Sequence, residues 1–462
     1  DLVRRHGINK ATLAVLFGVV GLWLVMLLPG LAGREQYYVY RGNCTDQQTY
    51  VEETVALSMH SLGWYESRSK EEIEAVSDVL WRGYCWAVKD RPSAGLMIAM
   101  MRANPSGEIY WVVYLYRMFV LAMTTGSLLY LFATVLRDKE EAGLFQKGLW
   151  GLAAALYCVG FWGQIQYDID AVSQISSIAV LVALTAVFIR YAQELTEGQD
   201  VAKGQKNPWD RKMYLAMILL ASGGLALYLE SALVHGALYL VTGIALLMYG
   251  KAKLTGRQAV QLAGIPALSF GILVLANYRI VHFLSAQVNT SVSDVRQSWA
   301  NYFNAWWLGR YGIDDGRITG LASGVANRIL SISGMYNITP NYERYYGLAA
   351  LALTGLAMFL ALCILFCLVR FLMKKTGKPA WALWILTLTG IVAVLGMWAA
   401  GKAWSAGKLL YYISPYLYAF LCMPALQIRR CEGVAEKLAH LLAAVLLLSN
   451  ISMVTWRYND MK

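Results

Sequence analysis

Apolar runs of roughly 18–25 residues recur along the chain, and short charged segments separate them. As helix, such a run spans a hydrocarbon layer of ~30 Å. The pattern predicts about eleven transmembrane helices, at roughly 11–32, 110–136, 148–166, 172–190, 213–229, 232–250, 259–285, 347–373, 381–400, 409–427 and 438–455. The first run is longer than a signal-peptide core and lacks a small-residue cleavage site, so it reads as a retained span. No internal repeat and no Pro- or Gly-rich linker interrupts the series. The fold class is therefore an all-α integral membrane bundle, with residues 1–462 forming one domain.

Two long hydrophilic segments break the rhythm, 33–109 and 286–346. The first carries patterning of its own. Val51, Val55, Met59 and Leu62 recur at helical spacing, and Thr45 with Gln48 forms a capping box. Ser69 with Glu72 opens a second amphipathic helix, whose apolar face is Ile73, Val76, Leu80 and Tyr84. The apolar run 93–101 is too short to span and suits the membrane interface. The segment reads as a lid lying on the membrane.

Composition agrees with this solvent. Apolar residues make up 58% of the chain and charged residues 15%, against about 45–50% and about 25% in soluble proteins. The balance of 40 Lys and Arg against 29 Asp and Glu gives +11, and its distribution is one-sided. With the N-terminus cytoplasmic, the inner segments hold clusters such as Arg4, Arg5 and Lys10, Lys203 to Lys212, and Arg370 to Lys378. The short outer segments hold only Lys402, Lys408, Arg457 and Lys462. Positive charge on short inner loops sets orientation, which places both long segments outside. The excess of positive charge thus serves topology, and nucleic acid is not a partner.

Chemistry-bearing residues gather on that outer side. Asp46 lies in the first turn of the first loop helix, where an acid also suits the helix dipole. Asp168 and Asp170 occupy the short turn between spans three and four. Arg279 and His282 lie toward the outer end of span seven and Arg117 lies within span two, positions where a charge is costly and a function is the default reading. Glu230 and His235 add polar groups near the outside, at a spacing unlike a metalloprotease helix. Trp306, Trp307, Arg310 and Tyr345 belong to an aromatic-rich second loop that reads either as an interfacial belt or as a sugar platform. Cys44 and Cys85 are the outer cysteines, either a disulfide in an oxidising compartment or two thiols. No Walker loop or G-x-G-x-x-G fingerprint is present.

Taken in order, the first span, Asp46-Gln-Gln-Thr-Tyr50, Ala56-Leu57, Leu62-Gly63-Trp64, Arg91-Pro92, Tyr110-Trp111 to Arg117, and Asp168-x-Asp170 resemble the GT-C superfamily of polyprenyl-phosphate-sugar-dependent glycosyltransferases. The aminoarabinose transferases and protein O-mannosyltransferases are the most similar branches. The resemblance covers roughly residues 11–195. This chain has Asp46-Gln47 where the family often has Asp-Glu, and Asp90-Arg91-Pro92 where it often has Lys-Pro-Pro.

The resemblance implies a sugar donor carried on a long isoprenoid phosphate in the outer leaflet of a bacterial plasma (inner) membrane. Asp46 would be the general base toward an acceptor hydroxyl on a glycan, lipid or protein, with inversion at the anomeric carbon. Lys89, Arg91, Arg117, Arg279 and His282 would hold the donor phosphate. Tyr50, Trp306, Trp307, Arg310 and Tyr345 would contact sugar or acceptor. Asp168 and Asp170 would orient the acceptor, hold Asp46 through hydrogen bonds, or share with it a divalent metal, Mg or Mn. A transporter or flippase of lipid-linked glycan, and a surface-polysaccharide polymerase or ligase, are the competing classes. Against a transporter stands the lack of repeats and of Gly/Pro-broken span pairs.

Overall fold

The computed structural model describes residues 10–32, 46–85, 93–101, 109–136, 144–160, 163, 172–197, 211–250, 256–277, 279–281, 359, 378–400, 403–426 and ten positions between 434 and 451. Every element among the described residues is helical. The apolar runs become α1 (Lys10–Ala32), α7 (Ile109–Val135), α8 (Leu144–Val159), α9 (Val172–Glu197), α10 (Arg211–Leu227), α11 (Leu229–Gly250), α12 (Gly256–Ala276), α13 (Lys378–Ala399) and α14 (Ala403–Leu426). The run predicted at 347–373 and nearly all of 438–455 lie outside the described residues. Helix α12 ends at Ala276, Ile280 and Val281 are again helical, and the rest of the predicted run to 285 lies outside the described residues. At the end of α12, Asn277 bonds back to Leu273 and its side chain accepts the Arg279 N–H at 3.3 Å, a local alternative to the helical ladder.

Among the described residues three helices are long and apolar enough to cross a membrane: Ile109–Val135, Val172–Tyr191 and Ala259–Ala276. Their surroundings differ sharply. Val172–Tyr191 is 83% buried within the protein, whereas Ala259–Ala276 is 11% buried. A helix that is apolar on its exposed faces needs an apolar solvent, and Leu275 at 89% and Phe17 of α1 at 70% exposure face outward in the same way. These helices belong in a lipid layer.

The centre of the bundle is α9, which packs on α7, α10 and α11, with α13 and α14 closing the far side. Apolar contact between helices gains little where the solvent is itself apolar, so packing and interhelical hydrogen bonds hold such bundles. The hydroxyl of Ser127 on α7 donates to the Ala179 carbonyl of α9 at 2.7 Å. Tyr157 of α8 pairs with Ser414 of α14 at 2.8 Å, and Tyr418 donates to the Ala153 carbonyl at 2.8 Å. The Gln146 and Trp150 side chains both donate to the Leu426 carbonyl. At Gly224 an added Cβ would stand 2.7 Å from Leu181 Cδ2, so α10 approaches α9 closely there and a larger residue would displace that leucine.

The first long segment folds into α2 (Asp46–Met59), α3 (Leu62–Glu66), α4 (Lys70–Val76), α5 (Asp78–Gly83) and α6 (Ser93–Met101). The capping box of Ser69 and Glu72 is present as the sequence predicts. The helix behind it is not continuous. At Ser77 the chain turns extended, and the Ser77 hydroxyl accepts the Val79 N–H to start α5 afresh. Ile73, Leu80 and Tyr84 are buried, while Val76, at the break, is exposed.

Helix α2 also departs from a simple amphipathic helix. Val51 packs into the main bundle core, whereas Ala56 packs into a separate lid core with Tyr65, Ile73, Leu80 and Tyr84. Covered on both sides, α2 buries Glu52, Glu53 and Thr54, and leaves Met59 of the expected apolar face exposed.

Candidate functional site

The first turns of two helices from distant parts of the chain meet at one end of the bundle. Asp46 begins α2, and Tyr50 lies one turn later. The Tyr50 hydroxyl accepts the main-chain N–H of Ser173, in the first turn of α9, at 3.2 Å. Ser173 belongs to the group of four amides that a helix start leaves without an intrahelical acceptor. Ser176 donates to the Val172 carbonyl at 2.7 Å, so Tyr116 of α7 donates to the Ser176 hydroxyl at 3.0 Å. Arg117, next to Tyr116, is buried inside the protein rather than reaching for headgroups. Gln174 is 4% exposed, and its side-chain nitrogen has no hydrogen-bond acceptor among the described residues.

A second set of polar contacts fixes α2 and the lid. Arg82 of α5 donates to the Glu52 carboxylate at 2.9 Å and also pairs with Asp78, while Gln48 donates to Glu52 at 3.1 Å. The hydrogen bonds to Glu52, then to Asp78, raise the Arg82 pKa. Glu53 is fully buried, and a Cβ added at Gly95 of α6 would press against its carboxyl carbon. A larger residue at position 95 would require the Glu53 side chain to shift.

Arg279, just beyond α12, places its guanidinium on the lid. It pairs with Glu66 at 3.1 Å and donates to the Tyr84 hydroxyl at 3.0 Å. Tyr84 stacks on Tyr65 with ring centroids 5.0 Å apart, and Tyr65 donates to the Ala56 carbonyl at 2.8 Å. Burial pushes the Tyr65 phenol up to about 12. Trp64 carries His60 stacked at 3.7 Å and Arg68 at 4.3 Å from its ring centroid.

Asp46, Tyr50, Arg117 and Arg279 of the predicted site residues fall on described backbone; Tyr50 joins the α9 start, whereas Arg279 joins the lid. Asp168, Asp170, Lys89, Arg91, His282, Trp306, Trp307, Arg310 and Tyr345 lie outside the described residues, as does Cys44. Cys85 is half-buried beside the lid core. Among the described residues no three His, Cys, Asp or Glu side chains gather as a metal site.

The sequence reading missed Glu53, Glu66, Arg82 and Gln174. Arg82 and Glu66 sit in an amphipathic segment where charge reads as solvated surface. Gln174 is uncharged at the start of an apolar run, and no charge-based search finds it.

No family model matches the chain, and no curated protein or solved structure matches it either.

Proposed function

We propose that the protein is a multi-pass membrane glycosyltransferase of GT-C type, with about eleven spans and a cytoplasmic N-terminus. It transfers a sugar from a polyprenyl-phosphate donor to an acceptor hydroxyl at the extracytoplasmic face of a bacterial plasma membrane. The observation that carries this reading is the Tyr50–Ser173 hydrogen bond. It ties the helix that Asp46 opens to the helix that Asp168 and Asp170 immediately precede in the chain. The chain order that suggests the family thus has the start of α2 and the start of α9 at one end of the bundle.

In this reaction Asp46 takes the proton of the acceptor hydroxyl. The hydroxyl oxygen attacks the anomeric carbon, the bond to the phosphate oxygen breaks, and the lipid phosphate leaves with both electrons of that bond. Inversion follows from attack opposite the leaving group. Incubation of the purified chain in nanodiscs with a polyprenyl-phosphate sugar and an acceptor mixture should release polyprenyl phosphate. Loss of a general base costs about 10²–10⁴-fold in turnover, so Asp46→Asn should stop release while donor binding persists. Turnover by that variant near the wild-type rate removes Asp46 as base.

A second reading, translocation of a lipid-linked glycan, draws on a buried polar row between α9, α11 and α14. Thr185, Tyr239 and Tyr416 are hydrogen-bonded there, and fully buried His235 donates from Nδ1 to the Ser231 carbonyl at 2.7 Å. Movement of labelled donor across the bilayer without sugar transfer would favour it.

A further inference from the structure

We infer that the first turn of α9 is a phosphate seat, in which the Gln174 side-chain amide and the Ser173 main-chain N–H donate to oxygens of a phosphate monoester. The inference deepens the transferase reading and rests on it for the identity of the ligand as the donor's isoprenoid phosphate.

Two independent features meet at this turn. The first is the start of a 26-residue helix, where aligned peptide dipoles and unsatisfied amides favour an anion. The second is Gln174, enclosed at 4% exposure, with a side-chain amide nitrogen that meets no acceptor among the described residues. Side chains on a helix tilt toward its N-terminus, so Gln174 carries its amide back to the opening turn. A carbonyl or hydroxyl oxygen would satisfy the hydrogen bond. A phosphate oxygen does so and also gains from the dipole and from its own charge.

The described charges near this turn are a buried cation and a buried acid. Arg117 is the described cation on the helix packed most closely here, one position from the Tyr116 that bonds Ser176. Glu53 is the described acid on this side, close enough to act on the Tyr116 phenol. Tyr50 marks how the seat opens. It is only half-buried, it belongs to the lid-bearing helix α2, and its neutral hydroxyl is a weaker acceptor for the Ser173 N–H than a phosphate oxygen. A phosphate arriving there replaces the phenol on that amide, within a turn of the residue proposed as base.

The test measures binding of polyprenyl monophosphate, of polyprenol without phosphate, and of inorganic phosphate. The proteins are the full chain, Gln174→Glu and Gln174→Leu, each in nanodiscs. The wild type should bind the monophosphate at least about tenfold more tightly than the alcohol, as one charge-assisted site provides. Gln174→Glu keeps the side-chain shape and puts a negative charge in the seat, so its affinity for the monophosphate should fall about tenfold or more. Gln174→Leu should lose affinity in the same direction by removing the donors alone. Wild-type affinity for the monophosphate in either folded variant overturns the seat. If the wild type takes up inorganic phosphate in a Gln174-dependent manner but not the phosphate lipid, the seat stands and the lipid-donor reading falls.

Discussion

Arg279 offers the sharpest separation of a structural role from a ligand-binding one. Its guanidinium joins Glu66 at 3.1 Å and Tyr84 at 3.0 Å, with side-chain exposures of 20% for Arg279 and 36% for Glu66. Because Glu66 is more than a third exposed, solvent screens the pair, and it contributes about 0.5–1 kcal/mol. The hydrogen bond to Tyr84 adds about 0.5–1 kcal/mol. Arg279→Ala should therefore weaken the hold on the lid by ~1–2 kcal/mol, a roughly fivefold to thirtyfold increase in its open population.

Hydrogen exchange measured by mass spectrometry in nanodiscs reads this directly. Amides in residues 62–84 should exchange faster in Arg279→Ala, while those in α9 stay protected. Glu66→Gln should have a smaller effect in the same region, and the double variant should fall short of the sum of the two. Unchanged exchange across 62–84 refutes the latch. Donor dependence then decides the second role. If Arg279 acts only through the lid, Glu66→Gln and Arg279→Ala raise the donor KM in proportion to their exchange effects. A raised KM in Arg279→Ala alone returns Arg279 to the phosphate.

Two further outcomes follow from the lid's packing. A Cβ at Gly83 would land on the Glu52 carbonyl and stand 3.0 Å from the Ala56 Cβ, against backbone that cannot turn aside. Gly83→Ala should thus force α5 off α2 at about 1–3 kcal/mol, seen as faster exchange in residues 46–85, and wild-type protection there contradicts the packing. Tyr65, raised to about 12 by burial, favours the neutral phenol when folded. Its stabilising contribution is complete below the unfolded value near 10 and is lost as pH rises toward 12. Lid protection should decline across that window, and Tyr65→Phe should abolish this alkaline loss; a decline that persists unaltered in the variant assigns it elsewhere.

Much of the helical layout was legible because hydrophobic periodicity is local. The starts of α7 and α9 lie within a residue of the runs that predict them, and the Ser69–Glu72 box marks the start of α4. The break at Ser77 was legible in principle, since Ser77-Asp78 is itself a helix-start signature. It was hidden by a continuous apolar face across the join. The fate of the charges was less accessible. Glu53 reads as an exposed acid on an amphipathic helix, yet α6, some forty residues later in the chain, closes over it at Gly95. Arg279 reads as a cation facing the membrane surface, yet a lid residue more than two hundred positions earlier neutralises it.

The sequence by itself determined the apolar character of the chain and where most of its described long helices lie. Runs long enough to span a membrane, and the spacing of apolar residues within them, are properties of neighbouring residues. Tertiary structure alone decided which polar groups became interior. Burial depends on what packs against a side chain, and at Tyr50, Ser173 and Gln174 the partners come from separate helices. A phenol on the first loop helix met an amide at the start of α9, and Gln174 was enclosed beside it. No local pattern encodes that meeting, because its energy arises only once two distant helix ends share the same low-dielectric space.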